Sequence, residues 1–297
     1  MNNNQIKNPD FQLNDNKPKA VLLMIISALG FSLMGVMVRY SGDLPVFEKV
    51  FFRNLVSLFI AFFVLKRLNG HGNLFGRREN QKFLLSRSLL GLCGVILYFY
   101  AIDNLVLSDA FALNRISPFF ILIFSWYFLK EIITKVHILS FVLVFLGATL
   151  IIKPQFNYSV IPAVSGLLSA VFAGGAYTLV RFLKNKERSA TIVFYFSFVS
   201  VVGMIPLVFL DFKVPNLNQF LFLILTGVCA GIGQFGLTMA YKYAPASQVS
   251  VYSYTGIIFS GILGYLFWGE LADITAIIGA VIIISMAIIL FFYNQRR

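Results

Sequence analysis

The sequence predicts an all-α polytopic membrane protein, with ten transmembrane helices arranged as two inverted five-helix repeats. Three observations carry that prediction. The 297-residue chain is 59% hydrophobic and only 12% charged, with a mean hydropathy of +0.83. A soluble domain holds about 25% charged residues, so this chain could not cover a water-facing surface. Its apolar residues gather into ten runs, each suited to cross a hydrocarbon core that needs about 20 residues of helix. Short motifs also recur between the two halves at a nearly constant offset.

The first nineteen residues, up to Lys19, are polar and Asn-rich and predict a disordered cytoplasmic tail. The first apolar run, 20–38, has no small-residue cleavage pattern at its end and more runs follow it. It therefore reads as a retained span rather than a signal peptide. Further runs at 46–65, 83–102, 108–129 and 136–152 complete a first repeat over 20–152. Runs at 160–181, 191–210, 218–240, 246–268 and 273–293 make a second repeat over 160–293. Turn-sized loops such as Ser41-Gly42-Asp43 and Lys153-Pro154-Gln155 separate them. In lipid each backbone polar group must be satisfied within its own segment, so the runs are expected to be helices. An outer-membrane barrel would show alternating strands of about ten residues, and the pattern is absent.

The net charge of +12 would suggest a nucleic-acid partner in a soluble protein. Here the basic residues sit in short clusters between apolar runs, so no nucleic-acid partner is expected. They report topology instead. With the amino terminus in the cytoplasm, the inner segments hold Lys7, Lys17, Lys19, Lys66, Arg67, Arg77, Arg78, Lys82, Lys130, Lys135, Arg181, Lys184, Lys186, Arg188, Lys242, Arg296 and Arg297. The outer segments hold only Arg39, Lys49, Lys153 and Lys213. That imbalance exceeds three to one and predicts a multi-pass protein of the cytoplasmic (inner) membrane with both termini inside. The two cysteines, Cys93 and Cys229, lie in apolar runs without metal-ligand spacing. They are expected to be buried small apolar residues, with no metal site and no disulfide.

The two halves resemble each other. Ser27-Ala28 and Val38-Arg39 align with Ser169-Ala170 and Val180-Arg181 at an offset of 142; Ser108 and Glu131 align with Ser247 and Glu270 at 139. Five spans is an odd number, so the second copy is expected upside down relative to the first. Inverted repeats are typical of secondary transporters, whose substrate site lies near the midplane between the halves.

The layout, the segment from Ala101 through Leu107-Ser108-Asp109-Ala110, and the span end at Leu129-Lys130-Glu131 resemble the drug/metabolite transporter superfamily, of the ten-span EamA type. So do the second-half counterparts Ala240…Pro245-Ala246-Ser247 and Trp268-Gly269-Glu270. Leu44-Pro45-Val46-Phe47-Glu48 followed by Phe51-Phe52-Arg53 is similar to the branch that includes S-adenosylmethionine and riboflavin uptake carriers. The resemblance covers about residues 20–293. It implies alternating access around a central cavity lined by the first, third, fourth, sixth, eighth and ninth spans.

Charges within spans are the first candidates for the site, because an arginine at mid-bilayer costs about 2.5–3.5 kcal/mol or more unless it meets water or a partner. Arg53 and Arg115 lie about two turns into the second and fourth spans, Arg115 beside Asn114 and Ser117. Two readings stay open: a polar site for a carboxylate or phosphate, with Glu48 helping to bind a zwitterion, or an internal ion pair of Arg115 with Asp109, Asp103 or Glu48. Pro118 weakens local helical bonding and would expose carbonyls. Arg87, one turn from the cytoplasmic end of the third span, is expected to snorkel outward as an anchor. Tyr98, Tyr177, Gln234, Ser253 and Tyr254 suit a flat or amphipathic solute. At the repeat offset Tyr254 takes the place of Arg115, and Ser253 that of Asn114. The competing reading is an interfacial aromatic belt, which fits Tyr100 and Tyr252 best. Glu131 and Glu270 are expected to make helix-end or loop contacts, and Gly227 with Gly231 forms a close-packing GxxxG face.

The function expected is a secondary transporter of a small organic metabolite (amino-acid-, nucleoside- or vitamin-like), working by uptake or exchange. A metabolite or drug exporter, or a lipid flippase of the same fold, is the alternative. Its partners would be the small-molecule substrate and the lipid bilayer, with a homodimer left open. No Gly-Lys dipeptide occurs, so no P-loop ATPase is built in. His71 and His137 fall near loops and no HExxH or GxSxG is present, so no catalytic residue, cofactor or enzyme activity is expected.

Overall fold

The computed structural model describes residues 16–67, 74–129, 134–152, 160–183, 186–244 and 249–295, and all regular structure among them is helical. Helix α1 spans Lys17–Tyr40, α2 Val46–Arg67 and α3 Gln81–Asn104. The fourth predicted span is two pieces, α4 (Leu107–Asn114) and α5 (Ser117–Leu129). Then follow α6 (Lys135–Ile152), α7 (Ile161–Leu183), α8 (Ser189–Leu210) and α9 (Leu217–Tyr243). The ninth predicted span opens with a 3₁₀ turn at Ser250–Tyr254 and continues as α10 (Thr255–Trp268), and α11 (Ile274–Gln295) closes the bundle. Most of the predicted tail, the Lys153-Pro154-Gln155 loop, Glu131, and Pro245-Ala246-Ser247 lie outside the described residues.

Local signals explain the boundaries. α1 begins three residues earlier than the predicted span because Asn16 caps it, its side chain accepting the Lys19 amide at 3.0 Å with Pro18 in the first turn. Asn216 and Gln219 cap α9 reciprocally. The break after Asn114 precedes Pro118, which has no amide to offer the Asn114 carbonyl and whose ring crowds it. Residues 115 and 116 form a turn there, with the Arg115 amide reaching Phe111 O at 2.9 Å and Ile116 reaching Leu113 O at 3.2 Å. At the end of α10, Gly269 adopts φ +66°, a left-handed cap that favours glycine, and the turn delivers Glu270 back toward the bundle.

Among the described residues nine helical segments are long and apolar enough to cross a membrane. α2 is not one of them, although it runs for 22 residues. Every 18-residue stretch of it holds three of Glu48, Lys49, Arg53, Lys66 and Arg67. The reason it tolerates them is burial: Glu48, Lys49 and Arg53 are each 3% exposed or less, so the charges face protein rather than lipid.

The helices pack α1 against α9, α3 against α7, α2 against α8 and α9, and α6 against α11. Small residues set the closest approaches. Gly227 and Gly231 of α9 receive Val56 and Ile60 of α2, as the GxxxG spacing predicts. Gly147 and Gly279 bring α6 and α11 together, where an added Cβ on Gly279 would lie 2.4 Å from the Gly147 carbonyl. Cys93 is exposed and Cys229 half-buried, both as free thiols. Cys93 thus corrects the expectation of burial: its run is apolar all round, and one side of α3 faces outward from the bundle.

Candidate functional site

Arg53 on α2, Arg87 on α3 and Arg115 in the α4–α5 turn all line one cavity, which contains about 670 Å³ of atom-free space counting its mouth. Tyr98, Asn114, Tyr177 and Gln234 join them, with Phe31 and Phe196 among the apolar walls. The helix break positions Arg115, because the turn ends α4 with Asn114 and Arg115 both facing the hollow. Asn114 Nδ2 donates to Ser169 Oγ of α7 at 2.9 Å, and that hydroxyl donates to Gly166 O at 2.6 Å. Tyr98 packs edge-on against Phe111, their ring centroids 5.7 Å apart.

The three guanidinium groups sit on aromatic faces. Arg87 Cζ lies 4.0 Å and Arg53 Cζ 5.4 Å from the centroid of the same Phe196 ring. Arg115 Cζ lies 5.8 Å from Phe31 and 5.9 Å from Phe111. All three arginines are at least nine-tenths buried. Arg53 Nη1 donates to Asn54 Oδ1, but its Nε, the Nε and Nη1 of Arg87 and the Nε of Arg115 have no hydrogen-bond partner. Cation–π contacts contribute about 0.5–2 kcal/mol each, less than the ~2.5–3.5 kcal/mol cost of an arginine at the centre of a bilayer. The rings alone do not offset three such charges.

The predicted alternative, an internal ion pair, is not what the described residues form. Arg53, Arg87 and Arg115 join no ion pair there, whereas Lys49 pairs with Asp103, at 2.7 Å, and Arg39 with Glu270. Asp103 is therefore taken by Lys49, and no acidic residue lines the cavity among the described residues. Glu48 also points elsewhere: it accepts the Lys213 amide at 3.3 Å, and its other oxygen is buried without a bond. Five residues separate Glu48 from Arg53, which turns the two side chains to different sides of α2.

Arg87 corrects the expectation of snorkelling. It is 2% exposed and stays inside because Phe196 and Gly91 make a slot for it. A Cβ on Gly91 would lie 2.9 Å from Phe196 Cε2 and 3.3 Å from Arg87 Nη1. Phe196 was not singled out from sequence, being one of 33 phenylalanines. The lining also differs from the span list that the resemblance implies: α2 and α8 contribute Arg53 and Phe196. Among its described residues the ninth span contributes no lining side chain, and neither Ser253 nor Tyr254 is among the lining residues. Tyr254 packs instead with Ile116, Ile257 and Ile283. The ninth span approaches through Gly256, where a Cβ would sit 3.3 Å from Arg115 Nη2 and whose carbonyl accepts from Ser32 Oγ at 3.1 Å.

Above the cavity, on the side of the α1–α2 turn, lies a polar seam. Arg39 donates to Glu270 and to the carbonyls of Leu105 and Ile102, the last at 2.8 Å. Glu270 also accepts the Leu107 amide at 3.0 Å. Glu270 is thus a loop contact, as expected, and it ties the end of α10 to α1 and to the start of α4.

Comparison with known proteins adds four findings. The model of the EamA-like transporter family matches this chain twice, over residues 18–153 and 160–292. A pseudopaline exporter of Pseudomonas aeruginosa is 38% identical over 274 residues, covering 91% of this chain and 95% of that protein. An S-adenosylmethionine uptake transporter of Rickettsia bellii is 26% identical over 92% of this chain and 93% of its own. A solved crystal structure shares the fold, with a TM-score of 0.70 at 15% identity over 95% of this chain and 99% of that one.

Proposed function

This chain belongs to the EamA-like transporter family, and from that premise we propose that it exports a small organic metabolite across the cytoplasmic membrane by alternating access. It is a multi-pass membrane protein, and the observation that carries the reading is the arginine-lined cavity between the helices. That hollow collects Arg53, Arg87 and Arg115 from the first matched segment and Tyr177, Phe196 and Gln234 from the second. A site shared between two halves is what a rocking carrier requires.

Two inverted five-helix repeats, with α2 counted as a tenth span, belong to the same proposal. Exchanging the halves turns the α1–α9 contact into the α7–α3 contact, and leaves α2–α8 and α6–α11 paired as they were. Both the fourth and the ninth spans depart from regular α-helix: the fourth turns at residues 115–116, and the ninth carries a 3₁₀ turn at 250–254, which the offset of 139 sets against 111–115. Both supports are independent of the charge pattern that puts the termini in the cytoplasm. Export is favoured over uptake because the 38% identical relative is named an exporter, whereas the uptake carrier is 26% identical.

The test is flux in inside-out membrane vesicles, where export appears as accumulation. Pseudopaline is the first solute to assay. Uptake into vesicles that exceeds an empty-vector control, and falls at least tenfold in Arg115→Ala at equal protein level, is the expected result. Accumulation only in right-side-out vesicles would reverse the direction. Unchanged flux in Arg115→Ala would remove the cavity from the path.

A further inference from the structure

The cavity carries more information than the presence of a site. Among the described residues its lining holds three arginines and no acidic residue, all three arginines are nine-tenths buried or more, and none of them is ion-paired. Uncompensated guanidinium nitrogens remain on each of them. We infer that the solute is an organic polyanion, with at least two oxyanion groups, carboxylate or phosphate, held by Arg115 on one side and by the Arg53–Arg87 pair on the other. This rests on the reading of the cavity as the transport site.

The arrangement argues for two anchoring points. Arg53 and Arg87 share the Phe196 ring, which keeps their charges within about 9.4 Å of each other. Two like charges so close in a poorly solvated hollow repel, and an anion between them relieves both. Arg115 rests against other rings, Phe31 and Phe111, with Asn114 beside it. A guanidinium binds carboxylate or phosphate through two parallel N–H···O bonds, and the bond from Arg53 Nη1 to Asn54 is the one hydrogen bond that the three groups donate among the described residues. Tyr98, Tyr177 and Gln234 are neutral groups suited to hydroxyl, amide or ring portions between the anionic ends. A neutral or cationic solute would leave the arginines unpaired, and a cation would add repulsion.

Thermal unfolding of the purified full chain tests this without knowledge of the natural solute. The probes are tricarballylate, citrate and pyrophosphate, against tricarballylic triamide and spermidine. At least one of the three anions raises the Tm of the wild-type protein, while the triamide and spermidine do not. The carboxylate and phosphate arms then tell which oxyanion the site prefers. Arg53→Gln, Arg87→Gln and Arg115→Gln each abolish most of the shift, and the corresponding lysine variants keep part of it. Stabilisation by the triamide or spermidine equal to that by the anions overturns the inference, as does silence of all three anions or an undiminished shift in the glutamine variants. Failure of the transporter reading looks different: the anions bind, but no solute moves in vesicles. Flux of neutral solutes without anion binding would keep the carrier and discard the polyanion.

Discussion

Arg39, in the last turn of α1, is ion-paired with Glu270, which follows the left-handed cap at Gly269. The pair closes the bundle on the predicted outer side by joining α1 and the start of α4 to the end of α10. Both side chains are mostly buried, at 11% and 23% exposure. Replacing Glu270 with Gln removes the charge-assisted bonds to Arg39, worth about 1.5–3 kcal/mol. We expect outward opening to become at least about tenfold more populated. A cysteine placed at Met34, in a background lacking Cys93 and Cys229, would then react faster with a membrane-impermeant thiol reagent added outside. Equal labelling rates in E270Q and its parent would show that the pair does not hold the cavity shut.

Lys49 and Asp103 form the second pair on that side, with Lys49 only 2% exposed. Lys49→Met leaves the Asp103 carboxylate partly buried and unpaired, at a cost of about 3–5 kcal/mol. Adding Asp103→Leu removes the orphaned charge and is expected to restore most of the lost stability. Thermal unfolding of the single and double variants checks the coupling, and additive losses would rule it out.

Gly91 is expected to tolerate no side chain. In Gly91→Ala the new methyl meets the Phe196 ring at 2.9 Å, and overpacking of this kind costs about 1–3 kcal/mol. Because the same ring carries Arg53 and Arg87, flux should fall together with stability. A second change, Phe196→Leu, makes room and should recover stability but not flux. Normal flux and Tm in G91A would show that the slot is looser than described.

Gly279 predicts the opposite pattern. A valine there would meet the Gly147 carbonyl, a backbone atom that cannot rotate aside, so α6 and α11 must part. We expect a loss of about 3 kcal/mol or more. Neither helix supplies a cavity residue, so the surviving folded fraction should keep its apparent substrate affinity. A changed KM with unchanged Tm would contradict this.

What the sequence made legible follows from the solvent. Lipid demands long apolar helices, so most of the candidate spans are legible from length alone, and α2 is legible as a helix despite its charges because Leu55 to Leu65 is almost wholly apolar. Arg53 and Arg115 stood out for the same reason, since a charge surrounded by apolar residues needs a partner. Arg87 did not, because a position near a span end allows either snorkelling or burial, and only the neighbouring helix decides. Phe196 carries no signal among so many phenylalanines. Proximity in sequence is what points to Glu48, and the repeat offset is what points to Ser253 and Tyr254. Neither measure contains the helix phase at Glu48 or the 3₁₀ turn that redirects Ser253 and Tyr254.

Three fixed cations around one hollow also bear on voltage. The empty protein carries them uncompensated wherever its barrier moves past them, while a bound polyanion cancels much of that charge. A full charge displaced through 100 mV is worth about 2.3 kcal/mol, so the resting potential acts unequally on the loaded and unloaded halves of the cycle. The step most strongly set by the potential is then the return of the vacant carrier.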